Sequence, residues 1–272
     1  MDREMNDSQE LKQRYETFAK TLDYKTTASD FQLRELEIDT GSGCMRDGQR
    51  ILDVGCGLGY AAIQYANRFA VEAIGIDYAE NMISGANQLL KDKPPALKGT
   101  VEFRHASVVE LPFPDDHFDV VTSSRCLMAL LDWELQKKAL LEIKRVLKPG
   151  GTLVLMEGTF EGLEKLNDAR GKFGLEAIAP DGRDRLITLK FHERELTDFC
   201  RPHYESARVQ RFGMYYFLTR VVQPLLVAPD KPRYDHKLNE IAREIARVFP
   251  DFEGMGHLVA FILKKRGEDA GK

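Results

Sequence analysis

Short apolar runs alternate with longer stretches of helical spacing between Arg50 and Glu157, and this alternation constrains the fold more than any other feature of the chain. The apolar runs are of strand length, and the stretches between them repeat apolar residues every three or four positions. We predict strands at 51–54, 73–76, 101–103, 118–122 and 152–156, with helices at 60–69, 80–91 and 134–147. Strands and helices in this order predict a doubly wound α/β fold, in which a parallel sheet carries helices on both faces.

The flanking segments extend this pattern. Residues 8–22 have helical spacing, and Asp7 with Glu10 resembles a capping box at the start of a helix. A second helix is expected to begin after Ser29 and to end near residues 41–43. Later helices are predicted at 163–173, 193–200, 215–226 and 234–248, and strands at 207–213 and 257–264 are expected to complete the sheet.

Composition limits the function classes. With 39 basic and 43 acidic residues the net charge is -4, so the chain offers no overall field that attracts a polyanion. The longest apolar stretches, 225–228 and 258–263, are too short to span a bilayer, and the first residues do not resemble a secretion signal. The four cysteines are spaced unlike a zinc site or a disulfide framework. We therefore expect a cytoplasmic protein with reduced thiols, no metal site, no membrane contact and no nucleic-acid partner.

Two strand ends carry ligand-binding signals. The strand at 51–54 runs into Gly55, Gly57 and Gly59, and such a turn lets a ligand lie close to the backbone. A dinucleotide fingerprint requires glycine or alanine at the position of Tyr60, so the spacing argues against a nicotinamide cofactor. The strand at 73–76 ends in Asp77, which is placed either to accept from two ribose hydroxyls or to cap the next helix.

Two further segments complete a recognisable set. A Leu-Pro-Phe-Pro stretch begins at Leu111 and leads into the strand at 118–122, and a basic helix from Leu141 ends in Lys148-Pro149-Gly150-Gly151. In this order the four segments, covering residues 48–158, resemble the class I S-adenosylmethionine-dependent methyltransferases of the small-molecule type. The resemblance implies a Rossmann-like sheet of seven strands, six parallel and the last antiparallel, with S-adenosylmethionine across the ends of the first two strands and S-adenosylhomocysteine as product.

The resemblance also assigns residues to the cofactor. The glycine loop is expected to hold the methionine moiety, Asp77 the ribose and Tyr78 the adenine. The family often has an acid where this chain has Ser107, so the hydroxyl or the backbone must replace that contact. The full expected cofactor set is Tyr15, Asp53, Gly55, Cys56, Gly57, Asp77, Tyr78, Met82, Ala106, Ser107, Val108 and Ser124.

The acceptor site is predicted from topology. Ligands bind beyond the carboxyl ends of parallel strands, where an antiparallel last strand begins. We therefore expect catalytic roles for Arg125, Glu157 and His257, with His257 as the general base if the acceptor is a hydroxyl. Phe160, Tyr215 and Tyr216 are expected to join Arg125 in binding the substrate, under a helical lid at about 214–256. Apart from Phe160, these residues have purely structural alternatives: a loop hydrogen bond for His257, an ion pair for Arg125, a helix N-terminal carboxylate for Glu157, and packing for Tyr215 and Tyr216.

These expectations favour one function and leave two alternatives open. The favoured function is direct in-line methyl transfer to a hydroxyl or amine of a polar small molecule. The alternatives are a cofactor-binding regulatory or accessory protein, and a methyltransferase acting on a macromolecule. The chain is expected to divide into a helical cap (1–45), a cofactor-binding core (46–158) and a substrate-side region (159–272), and its oligomeric state, a homodimer included, stays open.

Overall fold

The computed structural model describes residues 2–26, 29–92, 96–180 and 188–267. One sheet contains the strands β1 Arg50–Val54, β2 Glu72–Asp77, β3 Thr100–His105, β4 Phe118–Ser124, β5 Leu147–Gly158, β6 Tyr204–Arg211 and β7 Leu258–Lys265. Their spatial order is β3-β2-β1-β4-β5-β7-β6. Strand β7 pairs antiparallel with β5 and β6, and the other neighbouring strands pair in parallel. The predicted α/β fold class and the direction of the last strand are therefore confirmed.

Helices connect the strands. They are α1 Asp2–Ala19, α2 Phe31–Ser42, α3 Tyr60–Arg68, α4 Glu80–Asp92, α5 Trp133–Val146, α6 Phe160–Lys172, α7 Glu193–Cys200, α8 Gly213–Phe217, α9 Gln223–Val227 and α10 Lys237–Val248. A π-helical turn, Leu218–Val222, joins α8 to α9. Two predicted helix starts need correction. Helix α1 already begins at Asp2, so Asp7 lies inside it, and α2 is capped by Asp30, whose side chain accepts from the Leu33 amide.

The inner strands β1, β2, β4 and β7 are buried on both faces over most of their length, which explains why their sequences read as continuous apolar runs. Neighbouring residues of β1 face opposite ways, so that Ile51 packs on one side of the sheet and Leu52 on the other. The layer on the Ile51 side includes α2, α3 and parts of α8 and α10. The layer on the Leu52 side includes α5 and α7.

The position of β1 creates a crevice. Because β1 lies between β2 and β4, the connections after β1 and β4 lead to opposite sides of the sheet, and a cleft opens at their carboxyl ends. Helix α1 is held beside this cleft by Glu16, whose carboxylate accepts from the backbone amides of Glu80 and Asn81 at 3.0 and 2.9 Å. Glu16 thereby caps the N-terminus of α4 from another part of the chain.

The helices α8 to α10 lie between β6 and β7, as the sequence predicts, but they pack mainly against α2 and one another. Asp30, at the start of α2, accepts from the Tyr215 hydroxyl and the Arg220 guanidinium. The segment from α8 to α10 therefore holds the N-terminal end of α2 in place. Within the described residues, no helix combines the length and the apolar character that crossing a bilayer requires.

Candidate active site

A cavity of about 630 Å³ lies at the carboxyl ends of β1, β2 and β4. Its wall is formed mainly by α1, α2, the glycine loop after β1, the turns after β2 and β3, and the segment after β4, with further residues from α3, α5 and β5. Its wall includes eleven of the twelve residues expected at a cofactor site, namely Tyr15, Asp53, Gly55, Cys56, Gly57, Asp77, Tyr78, Ala106, Ser107, Val108 and Ser124. Met82 is the exception, because it is fully buried on the inner face of α4 among Ala19, Leu58 and Ala79.

The glycine loop brings backbone directly to the cavity. Gly55 and Gly57 have φ angles of 70° and 56°, which side-chain-bearing residues seldom adopt. A Cβ atom on Gly55 would lie 2.5 Å from the sulfur of Cys126. Burial raises the pKa of both Cys56 and Cys126 well above the usual range, so these two thiols are neutral and are poor nucleophiles.

Asp77 occupies the position at the start of α4 that is one of its two predicted roles, and its contact with a ribose stays a prediction. Its Oδ1 accepts from the Ala79 amide at 2.8 Å, at the start of α4, and its Oδ2 accepts from the Gly57 amide at 2.9 Å. The carboxylate also lines the cavity. Burial raises its pKa, and the two amide hydrogen bonds oppose that shift. Asp77 therefore ties the glycine loop to β2 and presents its remaining acceptor capacity to a ligand.

An aromatic surface lies beside Asp77. The Tyr78 side chain is 57% exposed, and the Lys12 ammonium of α1 lies 4.4 Å from its ring centroid. The His105 ring stacks on Tyr78, with ring centroids 6.5 Å apart. Lys12, Tyr78, Ala106, Ser107 and Val108 line the cavity and present one flat aromatic surface to it.

The N-terminal helix closes this end. Leu11, Lys12 and Tyr15 form part of the cavity wall. Burial and the nearby Asp77 carboxylate raise the pKa of Tyr15 to about 12, so its hydroxyl stays protonated. The helix therefore lines the cavity with one apolar side chain, one ammonium group and one hydroxyl.

At the opposite end, Asp53 is buried and accepts from the Thr122 hydroxyl at 2.8 Å. Burial raises its pKa to about 6, and the hydrogen bond and the neighbouring Arg34 charge oppose that shift. A buried carboxylate at a cavity wall is placed to receive a cationic group of a ligand.

Helix α2 contributes three wall residues that the sequence reading missed: Arg34, Glu37 and Ile38. Glu37 is 2% exposed and its Oε2 accepts from the Ser124 hydroxyl at 2.6 Å and from the Arg125 guanidinium at 3.0 Å. The signal was present, because positions 34, 37 and 38 share one helical face and place two charges among apolar residues.

Arg125 is the one predicted acceptor-site residue that lines the cavity. Its φ angle is 56°, an uncommon conformation for a residue with a long side chain, and its amide donates to the Met156 carbonyl at 2.8 Å. Such backbone strain is often found at functional sites. Apart from Glu37, no residue in the described part of the chain is seen to accept from its guanidinium.

Glu157 corrects a prediction. It is fully buried, lies outside the cavity wall as described, and accepts from the Ser123 hydroxyl and from the amides of Cys126, Leu127 and Met128 at 2.7–3.1 Å. Burial raises its pKa to about 7. This carboxylate organises the turn that follows Arg125 and is not part of the cavity wall formed by the described residues.

His257, Tyr215, Tyr216 and Phe160 are also absent from the wall formed by the described residues. His257 Nε2 lies 3.3 Å from the Tyr216 hydroxyl, and burial with three nearby cationic side chains lowers the pKa of the imidazole to about 3. Phe160 stacks on His192, and Tyr215 bonds to Asp30. The expected pocket of Arg125, Glu157, Tyr216 and His257 is therefore not formed, because only Arg125 reaches the cavity.

The chain is similar in sequence to known methyltransferases over part of its length. A family described as a methyltransferase domain matches residues 52–155. The ubiquinone/menaquinone biosynthesis C-methyltransferase UbiE of Vibrio vulnificus is 37% identical over 129 residues, which are 46% of this chain and 48% of the relative. The O-methyltransferase resE of Aspergillus sclerotiorum is 36% identical over 110 residues, 40% of each protein. The chain spans about half the length of the curated relatives it matches.

A solved structure extends the likeness to the whole fold. The crystal structure of a SAM-dependent methyltransferase from Methanosarcina mazei superposes with a TM-score of 0.56 at 19% identity, covering 83% of this chain and 96% of that chain. At this identity the likeness concerns the fold. The matched family segment contains the glycine loop, Asp77 and Arg125, which are the parts that meet at the cavity.

Proposed function

We propose that this chain, whose residues 52–155 match a methyltransferase domain, transfers the methyl group of S-adenosylmethionine to a hydroxyl or amine of a polar small molecule. The observation that carries the proposal is the cavity itself. One continuous space joins the glycine loop and Asp77 at one side to the charged pair Glu37 and Arg125 at the other. A cofactor and a second, polar molecule therefore have adjoining places.

The residues present fit the cofactor. Asp77 would hold the ribose hydroxyls, the surface of Tyr78 and residues 106–108 would hold the adenine, and the amides of the glycine loop would hold the methionine moiety. Asp53 and Arg34 would pair with the ammonium and carboxylate of that moiety. A sulfonium methyl group supplies a strong electrophile when the cofactor is bound.

The protein's own part in the reaction is alignment and exclusion of water. The acceptor must lie in line with the methyl group at near-attack distance, and this positioning accounts for much of the rate in such transfers. Helix α1 covers the cofactor end, and the apolar side chains of Ile38, Met128 and Met156 surround the charged pair at the other end. Arg125 has donors to orient an oxygen of the acceptor.

The residues that line the cavity also bear on the chemical class of the acceptor. The relatives are named as a C-methyltransferase and an O-methyltransferase, so their names do not select one kind of nucleophile for this chain. A buried acid beside an arginine suits an acceptor that carries both a proton to lose and a polar oxygen to hold. This combination favours a hydroxylated or amino-bearing small molecule.

The test is transfer of label. The full chain is incubated with S-adenosylmethionine carrying a tritiated methyl group and with a deproteinised metabolite extract, and labelled small molecules are separated by chromatography. The Asp77→Ala variant serves as the control that lacks ribose contacts. Labelled small molecules with the wild type alone support the proposal. Parallel incubations replace the extract with cellular protein or RNA. Cofactor binding without transfer in any of these incubations indicates an accessory protein, and label confined to protein or RNA indicates a macromolecular acceptor.

A further inference from the structure

One oxygen of Glu37 has no partner although it is buried. Both hydrogen bonds to this carboxylate fall on Oε2, from Ser124 and Arg125. Its Oε1 is shielded from solvent and has no hydrogen-bond partner within the described residues. Leaving a buried carboxylate oxygen unpaired is costly, and such atoms are rare in native proteins. Since Glu37 also lines the cavity, a ligand is the natural source of the missing donor.

We propose that Glu37 is the general base that removes the proton from the acceptor's nucleophilic atom, an inference that rests on the proposed methyl transfer. Its position favours the acceptor over the cofactor. Ser124 is the last residue of β4 and Arg125 follows it, and Met128, Met156 and Thr188 line the same cavity. Asp53, at the end of β1 and beside the glycine loop, is the carboxylate placed for the cofactor's ammonium group.

The surroundings of Glu37 suit a base. Two donors on Oε2 fix the orientation of the carboxylate, so that Oε1 is left to receive a proton. The Arg125 guanidinium lies 3.0 Å from Oε2 and holds that oxygen in place. Arg125 is itself held in position by the bond from its amide to Met156. The predicted candidates His257 and Glu157 have no comparable access to the cavity.

The step balances in atoms and charge. The acceptor's lone pair forms the new bond to the methyl carbon, and the bond between carbon and sulfur breaks with its electron pair passing to sulfur, which becomes a neutral thioether. The proton on the acceptor's oxygen or nitrogen passes to Glu37 Oε1 and later to solvent. Glu37 returns to its ionised form when the products leave.

The first measurement is binding. Calorimetry compares wild type and Glu37→Gln with two probes: S-adenosylhomocysteine, and 5′-methylthioadenosine, which lacks the amino-acid moiety. We expect both affinities to be unchanged, because the substitution removes a group that faces the acceptor. A weaker affinity for S-adenosylhomocysteine alone would overturn the proposal, since Glu37 would then hold the cofactor's amino-acid end.

The second measurement is transfer of the tritiated methyl group to the metabolite extract. We expect Glu37→Gln to lower the rate about 10²-fold or more, the usual size for loss of a general base, and Glu37→Asp to restore part of it. The matched control is Glu35→Gln on the same helix, whose carboxylate contacts Tyr60 and Arg68 outside the cavity wall. Wild-type transfer by Glu37→Gln would overturn the base assignment and leave the proposed function intact. Absence of transfer by the wild type would overturn both.

Discussion

Replacing Asp77 by alanine tests the cofactor site at its most constrained residue. The carboxylate accepts one backbone amide on each oxygen, from Ala79 and Gly57, and each oxygen keeps a further lone pair toward the cavity. The ribose of a bound cofactor has two hydroxyl donors for those lone pairs. The substitution removes both ligand hydrogen bonds at once, together with the bond that ties the glycine loop to β2.

The size of the effect follows from these contacts. A hydrogen bond to a charged group contributes about 1.5–3 kcal/mol, so that losing two weakens binding by about 3–6 kcal/mol at most. This corresponds to a Kd for S-adenosylhomocysteine that rises about 10²- to 10⁴-fold. Isothermal titration calorimetry of wild type and Asp77→Ala measures the change directly.

Two controls separate binding from folding. Asp115→Ala removes an exposed carboxylate that pairs with Arg145 outside the cavity wall, and it should leave the affinity unchanged. An S-adenosylhomocysteine analogue without ribose hydroxyls should bind more weakly than the parent to wild type, and equally with the parent to Asp77→Ala. The ribose assignment is refuted if Asp77→Ala binds S-adenosylhomocysteine as tightly as wild type does, or if it still discriminates between the two ligands.

Three further predictions concern α1, Glu157 and Gly59. Deleting residues 1–24 should leave a folded core, by circular dichroism, that binds S-adenosylhomocysteine more weakly, because α1 forms part of the wall; equal affinity would contradict its capping role. The pKa of Glu157 is raised from 4.5 to about 7 in the folded state, which therefore holds an extra proton between these pH values. The free energy of unfolding of the wild type should fall by roughly 3 kcal/mol as pH rises through this window. In urea melts Glu157→Gln should flatten this pH dependence, and an unchanged pH dependence would show that Glu157 is not its source. Gly59→Ala should destabilise by about 2–5 kcal/mol, since φ is 84° and the new Cβ would lie 2.2 Å from the Phe103 ring; an unaltered Tm would contradict this.

The sequence by itself was enough for the parts that local patterns encode. Strand and helix types follow from periodicity, and the bounds of α7 agree with the predicted 193–200. The glycine loop and Asp77 could be placed at neighbouring strand ends because a short turn leaves the backbone few choices. The antiparallel last strand and its inserted helices followed from the family resemblance and the spacing of late segments, and the pairing of β7 with β5 and β6 confirms that strand direction.

Only the tertiary structure decided which side chains reach the cavity. Met82 and Glu157 lie near the strand or helix ends that border the cavity, but both side chains are buried away from it. The direction of a side chain depends on register and packing, because a shift of one position along a strand reverses it. His257 is at the predicted edge, yet it turns toward Tyr216. Conversely, Glu37 and Arg34 lie on a helix before the first strand, where the sequence marks them only as two charges on an otherwise apolar helical face. Long-range contacts with the α8–α10 insertion and with Arg125 bring that helix to the cavity, and such contacts have no signature in local sequence.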